Sequence, residues 1–289
     1  MQGFCALLKW KGLSREGVGM ELAYFADEVD KEDFDEAVRL GVEAGATGIE
    51  LRGGIWGKRV QQIDDDEVKR VQDVLAKYNV KILSVGSPVG KCAHDNPEEL
   101  AEHQKMFERM VELAKAFDTT VIRGFAFWNP NRKSGDRTNR PGVTNYLDTL
   151  VPFLTPIVNL AAQEGVTFSL ENEGACLAGS CAEALEVATA LGDSPGFSFC
   201  WDVNNGISCG ENAMPDGYSL IKDRMTHLHI KPNDDKELNP IRNSDLQYVD
   251  LIKQVLSDGY TGAASIEHWG SPELMLKGVR DVRALLDTL

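Results

Sequence analysis

The chain has 289 residues, an apolar share of 43% and a formal net charge of −15. That length suits one large α/β domain with a full core, and no apolar run nears the roughly 20 residues that cross a bilayer. So large an excess of negative charge repels phosphate backbones and anionic membranes, which argues against nucleic-acid and membrane partners and leaves a small polar substrate open.

In chain order, Lys9, Lys11, Arg15 and Glu16 interrupt any signal-like stretch at the start, so residues 1–20 read as an N-terminal extension and 21–289 as the catalytic domain. A strand is expected over 21–26. A helix follows over 31–44, with Phe34, Ala37, Val38 and Val42 on one face and Gly45 as its stop. Strands are expected at 48–52, 80–84 and 120–123, with a helix over 98–117 before the last of these. Further strands fall at 166–171, 197–202, 225–231 and 263–267. A helix over 245–258 has Ser244 as N-cap and Gly259 at its end, and a final helix from about 272 opens on Pro272. Strands alternating with helices predict a closed (β/α)8 barrel. An open doubly wound sheet is the alternative, but it wants a Gly-rich turn after its first strand, and Ala26-Asp27-Glu28-Val29 is not one. Six cysteines without a C-x-x-C pair suggest reduced thiols and a cytoplasmic location.

Alternation within the last four strands carries the functional reading. Val166, Phe168 and Leu170 alternate with Thr167, Ser169 and Glu171. Phe197, Phe199 and Trp201 alternate with Ser198, Cys200 and Asp202. Thr226, Leu228 and Ile230 alternate with His227, His229 and Lys231, and Ala263, Ser265 and Glu267 share one face. Side chains on a strand alternate with period two. The large apolar face must meet the surrounding helices, so the small polar face points into the barrel. Each inward face ends in Glu171, Asp202, His229 or Glu267 at the rim where barrels place their chemistry. Three carboxylates and an imidazole converging there would repel without a cation. An oxygen-rich set with one nitrogen suits one divalent ion, Mn²⁺ ahead of Mg²⁺ or Co²⁺, and not a closed structural zinc site.

Four segments, Ser169-Leu-Glu-Asn-Glu173, Trp201-Asp-Val-Asn-Asn205, His227-Leu-His-Ile-Lys231 and Ser265-Ile-Glu-His268, resemble the xylose-isomerase-like barrel superfamily, in particular its sugar phosphate isomerase/epimerase branch. Phe25-Ala-Asp-Glu28, Gly48-Ile-Glu-Leu-Arg52, Ser87-Pro-Val-Gly-Lys91 and Ile122-Arg123 extend the likeness over nearly the whole chain after residue 20. The resemblance implies metal ligands at Glu171, Asp202, His229 and Glu267, the residues that parity selects, and proton transfer by Glu171 and Glu267. Asn205 stands where many members carry His, and Pro232 where many carry Asp.

The expected reaction is isomerisation or epimerisation of a keto-sugar or related polyol. A proton leaves the carbon next to a carbonyl, an enediolate forms, and one carboxylate takes the proton while another group returns it. Lys231, Arg123, Asn205, Arg242, Glu173, Trp56 and Lys91 are the expected substrate contacts, with Arg52 and Lys58 nearby, and His227 is read as a hydrogen-bonded core residue. The stretch 124–142, with Phe125, Phe127 and Trp128, is expected to form a lid. A homo-oligomer is compatible with all of this. The rival reactions are a dehydratase acting on a keto-inositol or keto-sugar conjugate, which shares the first step, and a DNA-repair endonuclease of the same superfamily. The endonuclease would need further His ligands and fits poorly with the net charge.

Overall fold

A computed structural model describes residues 19–192, 194–231 and 248–289. Its eight strands are β1 (Glu21–Tyr24), β2 (Gly48–Leu51), β3 (Lys81–Gly86), β4 (Val121–Gly124), β5 (Thr167–Glu171), β6 (Phe197–Asp202), β7 (Met225–Ile230) and β8 (Ala263–Ile266). They form one parallel sheet in which β8 returns to β1. A parallel bridge between Phe25 and Glu50 joins β1 to β2 and completes the ring. The (β/α)8 barrel is therefore present, with its thinnest seam between β1 and β2.

The helices sit between the strands and begin where the sequence supplies a side chain for their orphan amides. Asp33 caps α1 (Phe34–Glu43), a box of Asp64 and Glu67 caps α2 (Asp65–Tyr78), and Asn96 with Pro97 opens α3 (Pro97–Ala116). The next helix, α4 (Leu147–Glu164), continues through Pro152 and Pro156 and stops at Gly165 with φ 73°. Ser180 and Glu183 box the start of α5 (Cys181–Ala190). Two short helices, α6 (Val203–Ser208) and α7 (Tyr218–Ile221), precede β7, and α8 (Tyr248–Ser257) and α9 (Pro272–Leu286) complete the shell. Tyr248–Ser257 is the described part of the helix expected over 245–258; Ser244 and Arg242 lie outside the described residues, as do residues 1–18.

Packing follows the alternation of the strands. Phe168 meets Phe107 of α3 at 5.9 Å between ring centroids, and Trp201 stacks on Tyr218 of α7 at 5.3 Å. The apolar faces thus point outward into the helical layer. Gly124 stays small because a Cβ there would lie 2.1 Å from the Phe168 ring.

Thr226 departs from the expected alternation. Phe199 pairs with Met225 and Cys200 with His227, which leaves Thr226 as the extra residue of a bulge. Its hydroxyl consequently turns into the barrel, 2.8 Å from Ser198 Oγ and 3.0 Å from Ser169 Oγ. The bulge resets the phase of β7, so that His227 and His229 both face inward above that hydroxyl layer.

The segment after β4 also differs from its expectation. Phe125, Ala126 and Phe127 are buried. Backbone amides of Phe125 and Trp128 donate to Val89 and Cys92 oxygens on one side, and that of Asn129 to Ala175 oxygen on the other. Residues 124–129 are therefore built into the wall, and only the following stretch is largely exposed. Trp128 belongs to that wall and is not a lid tip. Cys92, Cys176, Cys181, Cys200 and Cys209 are free thiols.

Candidate metal centre

Glu171 ends β5, Asp202 ends β6, His229 lies near the end of β7 and Glu267 follows β8. One ligand atom from each of the four lies within 4.8 Å of the others, and all four residues are buried. His229 Nδ1 stands 3.5 Å from Glu171 Oε1, 3.7 Å from Asp202 Oδ2 and 3.8 Å from Glu267 Oε2. Such spacing leaves room for an ion between the tips.

Behind this ring lies a layer that the sequence reading passed over. Glu50 of β2 is fully buried, and its Oε2 lies 2.9 Å from both His227 Nε2 and His229 Nε2. Because a carboxylate only accepts, His229 Nε2 carries a hydrogen toward Glu50, which leaves Nδ1 facing the three carboxylates as the nitrogen that could hold a cation once it gives up its own proton. Glu50 Oε1 accepts from Arg123 Nε at 3.1 Å, and Arg123 Nη1 donates to Glu171 Oε2 at 3.0 Å. Arg52 plays the matching part for Glu267: Nη1 donates to Glu267 Oε1 at 2.8 Å, while Nε and Nη2 hold Asp27 and Nη2 holds Glu28. Each glutamate ligand thus has one oxygen anchored by an arginine. Parity on β2 could have revealed this layer, since Glu50 and Arg52 alternate with Ile49 and Leu51.

Electrostatics keep the site ionised. Burial alone would raise the Glu171 pKa, but the His229 and Arg123 charges outweigh it and lower it to about 2. Burial acts the same way on Glu267, where Lys231, Arg52 and His229 hold the carboxyl well below its usual range. Glu50, also opposed by burial, is lowered by His229 and His227.

The donor set fits a divalent cation. Asp202 Oδ2, Glu267 Oε2 and His229 Nδ1 are buried and lack any hydrogen bond. The Lys231 ammonium lies 2.6 Å from Asp202 Oδ2 and 2.9 Å from Glu267 Oε2. Those contacts are ionic, off the directions in which a hydrogen bond forms. The ammonium thus answers two of the three atoms in this structure, while His229 Nδ1, facing the same point, has no hydrogen-bond partner; a divalent cation there would serve all of them. His227, held by Ser265 Oγ at 2.7 Å as well as by Glu50, sits one layer below.

A cavity of about 870 Å³ opens above the ring, bordered by Glu171, Glu173, Glu267, Lys231, Lys91 and Arg123 among others. Lys91 Nζ contacts Glu173 Oε2 at 3.3 Å and lies 3.9 Å over the Phe125 ring. Lys231, Lys91 and Glu173 are therefore brought together at the cavity. Arg123 borders it with its guanidinium committed to Glu50 and Glu171. Asn205 Nδ2 reaches Glu171 Oε1 at 3.4 Å, beside a ligand and away from the cavity lining. Trp56 is the correction. Its ring packs edge-on against Phe34 at 5.5 Å beneath the Arg70 guanidinium at 3.4 Å, and it does not line the cavity.

No curated protein matches the sequence. Solved structures do resemble the fold. The 3-keto-D-glucoside 4-epimerase of E. coli aligns at a TM-score of 0.76 and 18% identity over 94% of this chain and 100% of its own. A xylose isomerase-like barrel protein of Mycobacterium smegmatis in complex with magnesium gives 0.72 and 16% over 94% and 97%. A probable 3-DHS dehydratase of Bacillus anthracis gives 0.72 and 17% over 91% and 98%. At such identities these likenesses establish the architecture alone. The family profile described as xylose isomerase-like TIM barrel matches residues 38–288. With its eight-stranded ring and polar mouth, this chain belongs to the xylose isomerase-like TIM barrel family.

Proposed function

We propose that the protein is an isomerase or epimerase of a keto-sugar or related polyol, dependent on one divalent ion held by Glu171, Asp202, His229 and Glu267. The observation that carries the reading is the convergence of these four ligand atoms beneath a polar cavity. Three carboxylates with one imidazole favour Mn²⁺, with Mg²⁺ or Co²⁺ as alternatives. Bound there, the ion supplies positive charge to the substrate oxygen that becomes negative as the neighbouring carbon loses its proton.

The chain's own groups account for the remaining requirements. Glu171 and Glu267 stay ionised at neutral pH, so either can accept a proton. They border the cavity from β5 and from the end of β8, three strands apart in the ring. A planar carbon held between them can lose a proton to one carboxylate and gain another on the opposite face from the second, once that carboxylate has taken a proton from solvent or a substrate hydroxyl. Inversion at that carbon needs two such groups, and the pair meets that need; elimination would use the second group to protonate the leaving hydroxyl, so the products separate the two reactions. Arg123 and Arg52 fix the orientation of the two glutamates. Lys231, and Lys91 with Glu173, supply charged and hydrogen-bonding partners for substrate oxygens.

The test is solvent exchange. Protein loaded with Mn²⁺ is incubated in D₂O with ketoses, keto-glycosides and inososes, and products are followed by NMR. Metal-dependent deuterium incorporation with formation of an epimer or aldose supports the reading. Exchange accompanied by loss of water assigns a dehydratase, and no metal-dependent exchange with any of these compounds rejects the proposal.

A further inference from the structure

Trp269 is the most exposed large apolar side chain of the described residues, at 60%. It follows Glu267 by two positions and lines the mouth of the cavity above the metal ligands. Its backbone adopts φ 65°, a left-handed conformation that a bulky residue rarely takes. Both Oε atoms of Glu28 enforce that geometry. Oε2 accepts from the His268 and Trp269 amides at 2.7 and 2.8 Å, and Oε1 accepts from Arg52 at 3.0 Å. The Arg52 guanidinium covers one side of the indole at 4.5 Å from its centroid, while the same Arg52 holds Glu267 Oε1. The indole is therefore locked at a fixed offset from a metal ligand with its other side open. Beyond the Arg52 contact most of the indole remains exposed, which packing against Arg52 alone does not require.

We propose that Trp269 is a stacking platform for a second sugar ring, so that the substrate is a keto-sugar joined to another pyranose and not a free monosaccharide. The inference rests on the sugar reading of the preceding section and specifies its substrate class. The cavity, at about 870 Å³, lies toward the upper end of the roughly 300–1,000 Å³ of small-molecule sites and far exceeds what one monosaccharide fills. Indoles accept the apolar C–H face of a pyranose, while the ring's hydroxyls need polar partners at its edge. Asp30, Lys31, Glu32 and Lys58 border the same mouth and offer those partners. A flat aromatic substituent would leave them unmatched.

The test titrates the Mn²⁺-loaded full chain by calorimetry with D-fructose and with lactulose, a ketose bearing a galactosyl ring. Wild-type protein is expected to bind lactulose at least tenfold more tightly. Trp269→Ala should lower the lactulose-to-fructose affinity ratio about tenfold, and Trp269→Phe should hold that ratio within about threefold of wild type. Equal wild-type affinities, or a ratio unmoved by Trp269→Ala, overturn the platform. A merely structural role would weaken both sugars together and leave the ratio unmoved. Deuterium incorporation into fructose is read separately. Its absence counts against the proton-transfer chemistry, whereas the affinity ratio alone decides the platform.

Discussion

Replacing Glu50 with Gln probes the layer that orients the metal ligands. The side chain is fully buried, with Oε2 2.9 Å from His227 and His229 Nε2 and Oε1 3.1 Å from Arg123 Nε. Glutamine keeps one acceptor oxygen and turns the other into a donor. If the oxygen faces the histidines, the amide nitrogen meets the Arg123 N–H; if it is flipped, it meets both imidazoles. Either way a buried donor loses its partner: Arg123 retains only Glu171 in the first case, and the two imidazoles lose their acceptor in the second. Removing one member of a buried ion pair costs about 3–5 kcal/mol, and the hydrogen bond that survives places Glu50→Gln below that range, at roughly 2–3 kcal/mol of stability. Loss of an outer-shell partner weakens a metal site by about 10–100-fold. Manganese affinity by calorimetry, together with melting of the metal-free and loaded protein, measures both effects. A folded Glu50→Gln variant that binds Mn²⁺ within twofold of wild type would refute the claim that Glu50 sets the His229 orientation.

Three other substitutions test separate parts of the account. Arg52→Lys removes the forked contacts to Asp27, Glu28 and Glu267 and should weaken Mn²⁺ binding about tenfold with a lower melting temperature, since an ammonium cannot span three carboxylates; unchanged binding would contradict the anchoring of Glu267. Lys231→Met takes the ammonium from between Asp202 and Glu267. The metal-free protein should melt lower and the loaded protein much less so, widening the gap between the two melts; a narrowed gap would show that Lys231 assists the ion instead of substituting for it. Gly90→Ala puts a Cβ 1.9 Å from the Phe125 carbonyl oxygen at φ 87°, which should cost about 2–4 kcal/mol of stability; denaturant unfolding within 1 kcal/mol of wild type would refute the close approach.

Much of the architecture was legible because period-two alternation and helix-start residues are local signals. The inward set Ser169–Glu171, Ser198–Asp202 and Ser265–Glu267 emerged from parity alone, and Gly45 and Gly259 mark helix ends with φ 102° and 87°. The bulge at Thr226 was not legible, because the register of β7 depends on its partner β6. The helix over 147–164 was masked by Pro152 and Pro156, two breakers that tertiary packing overrides. Glu50 escaped notice although it obeys the same alternation, because its role requires β2 to face β7 across the barrel. Trp56 was expected at the substrate for its residue type, yet Phe34 and Arg70 hold its ring elsewhere. Trp269 drew no expectation from the sequence, because only the fold shows that it borders the cavity.

The central claim is a single cation shared by four side chains, and anomalous diffraction at the manganese edge from crystals grown with Mn²⁺ addresses it most directly. One peak is expected among Glu171, Asp202, His229 Nδ1 and Glu267, at ligand distances of about 2.0–2.3 Å. A peak elsewhere, or no peak at saturating Mn²⁺, would contradict it.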